Sequence, residues 1–420
     1  MLYRVPRLFF CLCVVVLLSV AGLAQNDIQG ISSVPSDPEM TYPRVAPLSI
    51  QSQPDFLNSD SPNGIGASVH SNAGGLANVI SVPNFSSSFT SNGQTWWFTM
   101  MGNDPTLGKK TTIPAKIVAV SLQLQNADLT STTIVPVAAF EEPTLNSPNF
   151  GFSSYSSGNH IQFADAVQRA EFYNMMKQNW HTSLDASIVD EITIPVPRFV
   201  TVTLNGTPTQ VRTYYRGTAA DGSVFVLMLN RFFNQQIFNI VNNEINSGKY
   251  TTDAVNVTLF PNTYLFSLSK SGGIGGCCTL GYHTYFYDGG QPKESRWIFG
   301  YASWISPGIF GGGFEDVTAL SHEISESFND PFVNNLTPQW TFPGEPGQCQ
   351  GNLETGDPVE VLSSATVATP IKTEGQVFTY HPQTEALLQW FEQGNPSNAL
   401  GGAYSYPDTT ALKTGAKACD

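Results

Sequence analysis

Residues 321–332 read SHEISESFNDPF, and the chain is organised by whether this stretch is a metal-binding helix or the wet side of an ordinary one. His322 and Glu326 are four apart, so on a helix their side chains stand one above the other and can share a cation. Glu323 then points to the side, where the glutamate of an H-E-x-x-H helix serves as general base for water. Here a glutamate replaces the second histidine, and zinc accepts carboxylate oxygen as well as imidazole nitrogen. Val317, Leu320, Ile324 and Phe328 form an apolar face, with His322 and Glu326 nearly opposite, so a solvated polar face is the competing reading. The helix is expected from Asp316, as its cap, to Asn329, with Pro331 ending it.

A catalytic zinc takes three protein ligands and keeps a fourth place for water. The acidic run GNLETGDPVEV at 351–361 offers Glu354 and Asp357. Glu354 is the favoured third ligand, with Asp357 as its supporting partner or as the ligand itself. The arrangement resembles the gluzincin class of metallopeptidases, which also takes its third ligand from an acid some way past the helix. His283, in GYHTY at 281–285, is the other candidate, as a ligand or as a donor to a developing oxyanion.

At these residues the chain resembles the Exordium-like, or phosphate-induced, secreted proteins of plants and their bacterial relatives. The shared pieces are GYHTY at 281–285, SHEISESFNDPFVNN at 321–335 and the E-x-x-D step from Glu354 to Asp357, in the same order and at similar spacing. The resemblance covers about residues 277–360. It implies an extracellular protein with His283, His322, Glu323, Glu326, Glu354 and Asp357 gathered at one site. The plant pattern sets a cysteine directly before the first glycine of GYHTY, whereas Cys277 and Cys278 lie further upstream here, which leaves the disulfide arrangement open. The family has cell-wall and growth roles without a settled reaction, so peptidase chemistry is an expectation from the metal motif alone.

Outside the motif, the N-terminus has two arginines, Arg4 and Arg7, an apolar run from Leu8 to Val20 and a small-residue exit at Ala24. This reads as a signal peptide over 1–24, giving a secreted or periplasmic protein with no membrane span in its mature form. Loss of the leader takes the formal charge from -14 to -16, against nucleic acid or an anionic membrane as partner. A peptide or a cell-wall or envelope component is the expected substrate. Cys277, Cys278, Cys349 and Cys419 remain, and two disulfides are expected, one from the adjacent pair to Cys349 and one to Cys419. Neither a G-x-S-x-G elbow, a P-loop nor a full calcium loop is present.

Residues 25–94 are rich in Ser, Pro, Asn and Gly and read as a low-complexity linker or pro-segment before a domain over 95–420. In that domain KIVAVSLQL, RFVTVTLNG, SVFVLML, VNVTLF and TYLFSLS read as strands. FADAVQRAEFYNMM, FFNQQIFNIVNNEI and TEALLQWFEQ read as helices, and VNNLTPQWTFPGEPGQCQGN as a long loop. The expected fold is α+β, a mixed sheet packed on helices in a zincin-like arrangement, with the metal site in 277–360.

Overall fold

The computed structural model describes residues 79–419 except 220, 289–292, 312, 345 and 346. The expected signal peptide and residues 25–78 lie outside the described residues. The helices are α1 (Ala138–Leu145), α2 (Phe163–Glu171), α3 (Asn230–Asn246), α4 (Thr318–Asn329), α5 (Asp357–Glu360) and α6 (Leu388–Phe391). None of the described helices is long and apolar enough to cross a membrane.

All five β-branched runs form strands. KIVAVSLQL lies in Lys110–Gln125, RFVTVTLNG spans Phe199–Leu204, SVFVLML ends in Val224–Leu229, VNVTLF opens Val255–Pro261 and TYLFSLS forms Thr263–Leu268. The main sheet has seven strands. Lys110–Gln125 runs parallel to both His181–Val196 and Val255–Pro261, and the latter runs parallel to Glu294–Trp304. Gly281–Tyr287 closes this side antiparallel to Glu294–Trp304, with His283 opposite Gly300. A second sheet of four strands packs nearby. The observed class is α+β with a mixed sheet.

Parallel strands need cover on both faces, because neither face can be left to water. Successive residues of a strand point to opposite faces, and the pattern is visible in Lys110–Gln125. Ile113, Ala115, Ile117 and Ala119 join Val257, Leu259 and the α4 residues Leu320, Ile324 and Phe328 in one core. Val118, Val120, Leu122 and Leu124 join Phe260 and the α3 residues Phe233, Ile237, Ile240 and Val241 in the other. Each of these Val, Leu, Ile and Phe side chains contributes about 1.5–3 kcal/mol on burial. The apolar stripe of α4 therefore fixes which way the helix is turned, and with it where His322, Glu323 and Glu326 point.

Several local expectations give way to tertiary contacts. Regular structure begins before the expected boundary at 94/95. Val79–Ile80 pairs with Glu294 and Ser295, and Asn84–Ser91 forms a hairpin with Gln94–Met101 that buries Phe85 and Phe98. Asn92 and Gly93, both at positive φ, make the two-residue turn that this dipeptide favours. The expected loop after Pro331 contains a paired hairpin, Leu336–Thr341 with Cys349–Asn352, anchored by a fully buried Trp340. The expected final helix is reduced to Leu388–Phe391, because Glu385 and Ala386 instead pair with Tyr406 and Ser405.

The cysteine expectation is corrected. Cys349 pairs with Cys419, and Cys277 and Cys278 stand at bonding distance from each other. Cys277 and Cys278 belong to the Ile274–Thr279 strand of the second sheet, which pairs with Thr263–Leu268.

Candidate metal centre

The polar side of α4 is not wet. All twelve residues of the helix are buried, His322, Glu323 and Glu326 among them. Three segments cover that side: the Gly281–Tyr287 strand, residues 353–357 leading into α5, and residues 381–386. Burying this many ionisable groups is unfavourable unless they are paired or hold a cation.

Both histidines meet on one oxygen. His322 Nε2 lies 3.1 Å from Glu326 Oε2, and His283 Nδ1 lies 3.2 Å from the same atom. Beyond it, His283 Nε2 lies 3.8 Å from Glu354 Oε2 and His322 Nε2 lies 3.8 Å from Asp357 Oδ1. Glu323 Oε2 is 3.6 Å from His283 Nδ1 and is buried without a hydrogen bond. The structure thus gathers His283, His322, Glu323, Glu326, Glu354 and Asp357, all six residues singled out in the sequence.

The outward nitrogen of each ring has a neighbour that fixes its role. Gln383 Nε2 donates to the Gly356 carbonyl at 2.6 Å, which turns Gln383 Oε1 toward His322 Nδ1 at 3.2 Å. An amide oxygen only accepts, so His322 Nδ1 carries the proton and Nε2 faces Glu326. His283 Nε2 lies 3.3 Å from the Asp330 carbonyl, also an acceptor, so Nδ1 is the nitrogen that faces Glu326. A bare imidazole nitrogen opposite a carboxylate oxygen is repulsive, so a proton or a metal ion must lie between them. Glu326 itself is held from behind, its Oε1 accepting from the Gly356 backbone N–H at 3.0 Å.

The electrostatics agree with this demand for positive charge. Burial pulls the His322 pKa down, but Glu326 and Glu323 outweigh it and hold the ring well above the ordinary histidine value. Burial pushes Glu326 up, yet His322 and His283 outweigh it and hold the carboxyl well below the usual range. Glu323 is raised by burial, against the pull of His322 and His283. Glu385 is raised well above its ordinary value by burial, with His322 opposing. An imidazolium facing a carboxylate is the pairing that a divalent cation replaces when it displaces the proton.

The cluster could hold a metal ion. Bonds of about 2.0–2.1 Å in a tetrahedron put neighbouring ligand atoms about 3.3 Å apart. The separations of 3.1, 3.2 and 3.8 Å bracket that value. Among the described residues, two buried groups offer ligand atoms within 4.8 Å of one another: His283 with Glu326 and Glu354, and His322 with Glu323 and Glu326.

Two glycines make the approach possible. A Cβ at 281 would stand 2.5 Å from Glu323 Oε1, and one at 356 would collide with the His322 ring. Sequence reasoning also passed over Gln383 and Glu385, read as the start of a helix. Glu385 is buried, and its Oε2 accepts from Thr355 Oγ1 at 3.1 Å. Asp330 is buried beside His283, pushed up to about 7 by burial while accepting from the backbone of Asn334 and Asn335.

The expected cap Asp316 does a different job. Helix α4 starts at Thr318 without a side-chain cap, and Asp316 Oδ1 accepts from Val317 N and His381 N. His381 Nδ1 lies 2.8 Å from Asp316 Oδ2 and 3.1 Å from Glu315 Oε1. This clasp ties the start of α4 to the segment that delivers Gln383 and Glu385.

No family model, curated protein or solved structure matches the chain.

Proposed function

We propose that the protein is a secreted zinc-dependent hydrolase of the metallopeptidase type, with a zincin-like arrangement of sheet and metal-bearing helix. The observation that carries this reading is the meeting of two oriented imidazoles on Glu326 Oε2, with Glu323 beside them. His322 and Glu326 would hold zinc with Asp357 or Glu354. Zinc bound there would polarise a carbonyl and acidify water.

Glu323 is the base in this reading: its buried, raised carboxyl takes the proton from water and passes it to the leaving amine. The side chains of His322, Glu323 and Asp357 keep 11%, 7% and 8% exposure, so this edge is the one a substrate carbonyl would meet. His283, with no exposed side-chain surface, sits behind them and fits a ligand better than a donor to an oxyanion at that edge. The acidity of the chain favours a peptide or envelope substrate over nucleic acid. The test is Glu323→Gln, assayed for peptide hydrolysis and for zinc content. Hydrolysis lost with zinc retained supports the reading, and hydrolysis equal to the parent overturns it.

A second reading has its own support. His283, Glu326 and Glu354 are sealed from solvent, and a structural zinc has all positions filled by protein. On that reading the protein is a non-catalytic cell-surface or wall-binding protein. Chelation would then lower thermal stability, and no hydrolysis would be found with any metal restored.

A further inference from the structure

We infer that the centre holds two divalent metal ions bridged by Glu326, an inner one on His283 and Glu354 and an outer one on His322 and Asp357. The inference rests on the metal-binding part of the proposed function and extends it.

Two groups of candidate ligand atoms share Glu326, one with His283 and Glu354 and one with His322 and Glu323, each lying within 4.8 Å. Each has its own imidazole nitrogen next to Glu326 Oε2, at 3.2 Å for His283 and 3.1 Å for His322. A further acid stands 3.8 Å from Nε2 of each ring: Asp357 at the His322 nitrogen that faces Glu326, and Glu354 at the His283 nitrogen that faces away from it. Each ring has its outward nitrogen set by an oxygen, the Asp330 carbonyl for His283 and the Gln383 amide for His322. A single ion would explain why two rings aim at Glu326. It leaves unexplained why Glu326 belongs to two separate groups, one on each ring and each with a further carboxylate.

Charge points the same way. Glu323, Glu326, Glu354, Asp357 and Glu385 are buried together with only two imidazoles among them. Glu323 Oε2 and Glu385 Oε1 are buried without hydrogen bonds, which leaves donor capacity on the acids around the cluster.

The two positions differ in access. His283, Glu326 and Glu354 have side-chain exposures of 0%, 1% and 1%, so the inner ion is enclosed by protein. The outer group includes the exposed edges of His322 and Asp357. The inner ion therefore holds the Gly281–Tyr287 strand, α4 and the 354 loop together, and the outer ion is the exchangeable one beside Glu323. The structural and reactive readings of the site then describe two ions in one centre.

The test is stoichiometry. The full mature chain is stripped with chelator, reloaded with Zn2+ and desalted, and zinc per chain is measured by plasma mass spectrometry. Two ions in the parent, falling to one in His283→Gln and one in His322→Gln, are expected. One ion in the parent overturns the inference and leaves the proposed function standing. None in the parent overturns both. Because the parent value decides by itself, a variant that fails to fold does not blunt the test. Reloading with Co2+ adds an independent reading: magnetic coupling between paired ions is expected, and the spectrum of an isolated ion would count against the bridge.

Discussion

Gln383 Oε1 and His322 Nδ1 lie 3.2 Å apart, and the Gln383 amide is held in that sense by its donation to the Gly356 carbonyl. The same Gly356 donates its N–H to Glu326. One glutamine thus sets the tautomer of His322 and braces the loop that orients Glu326.

Gln383→Ala removes that setting and leaves the fold largely intact. Partners of this kind alter metal affinity about 10–100-fold. Zinc affinity, measured by competition with a chromophoric chelator, is expected to fall by that amount. An alanine variant with parental affinity would show that Gln383 has no hold on His322.

Glu323→Gln keeps the shape of the side chain and removes its basicity. General-base catalysis contributes about 10²–10⁴-fold, so peptide hydrolysis is expected to drop by that factor with zinc content and melting temperature near parental values. A fall in zinc content as large as the fall in rate would instead make Glu323 a ligand.

Gly356→Ala places a methyl group against the His322 ring. Overpacking of this kind costs about 1–3 kcal/mol, and here the ring must move or the loop must open. Lower stability together with lost zinc is expected, from chemical denaturation and metal analysis. A variant that binds zinc normally would mean that the loop gives way without disturbing the site.

Glu171 gives a pH readout from outside the candidate site. It is buried at the C-terminal end of α2, accepts from Leu388 N at 3.0 Å, and is pushed up to about 8 by burial. The folded state therefore keeps a proton that the unfolded state has released above its ordinary value near 4.5. Stability falls as pH rises from about 5 to 8, at up to about 1.4 kcal/mol per pH unit from this group. Glu171→Gln mimics the neutral form and is expected to flatten that decline in urea unfolding of the chelated protein. Parallel curves for parent and variant would contradict it.

The sheet and α4 were legible because burial imposes a period. The alternation in Lys110–Gln125 and the stripe Val317, Leu320, Ile324 and Phe328 are local patterns of the kind that strands and helices require. The spacing of His322 and Glu326 is local in the same sense. TEALLQWFEQ shows the limit, since its apolar periodicity was overruled by the pairing of Glu385 with Tyr406.

By itself, then, the sequence determined an α+β chain with a helix carrying a histidine and two acids at metal-binding spacing. Tertiary structure decided that this polar face is buried, because the covering segments arrive from far along the chain: His283 from before the helix, Glu354 and Asp357 from after it. It also decided that Gln383 faces His322 across 61 residues and that Cys349 finds Cys419 across 70. Contacts at that separation leave no period in the sequence, since each depends on where the sheet has placed the elements between.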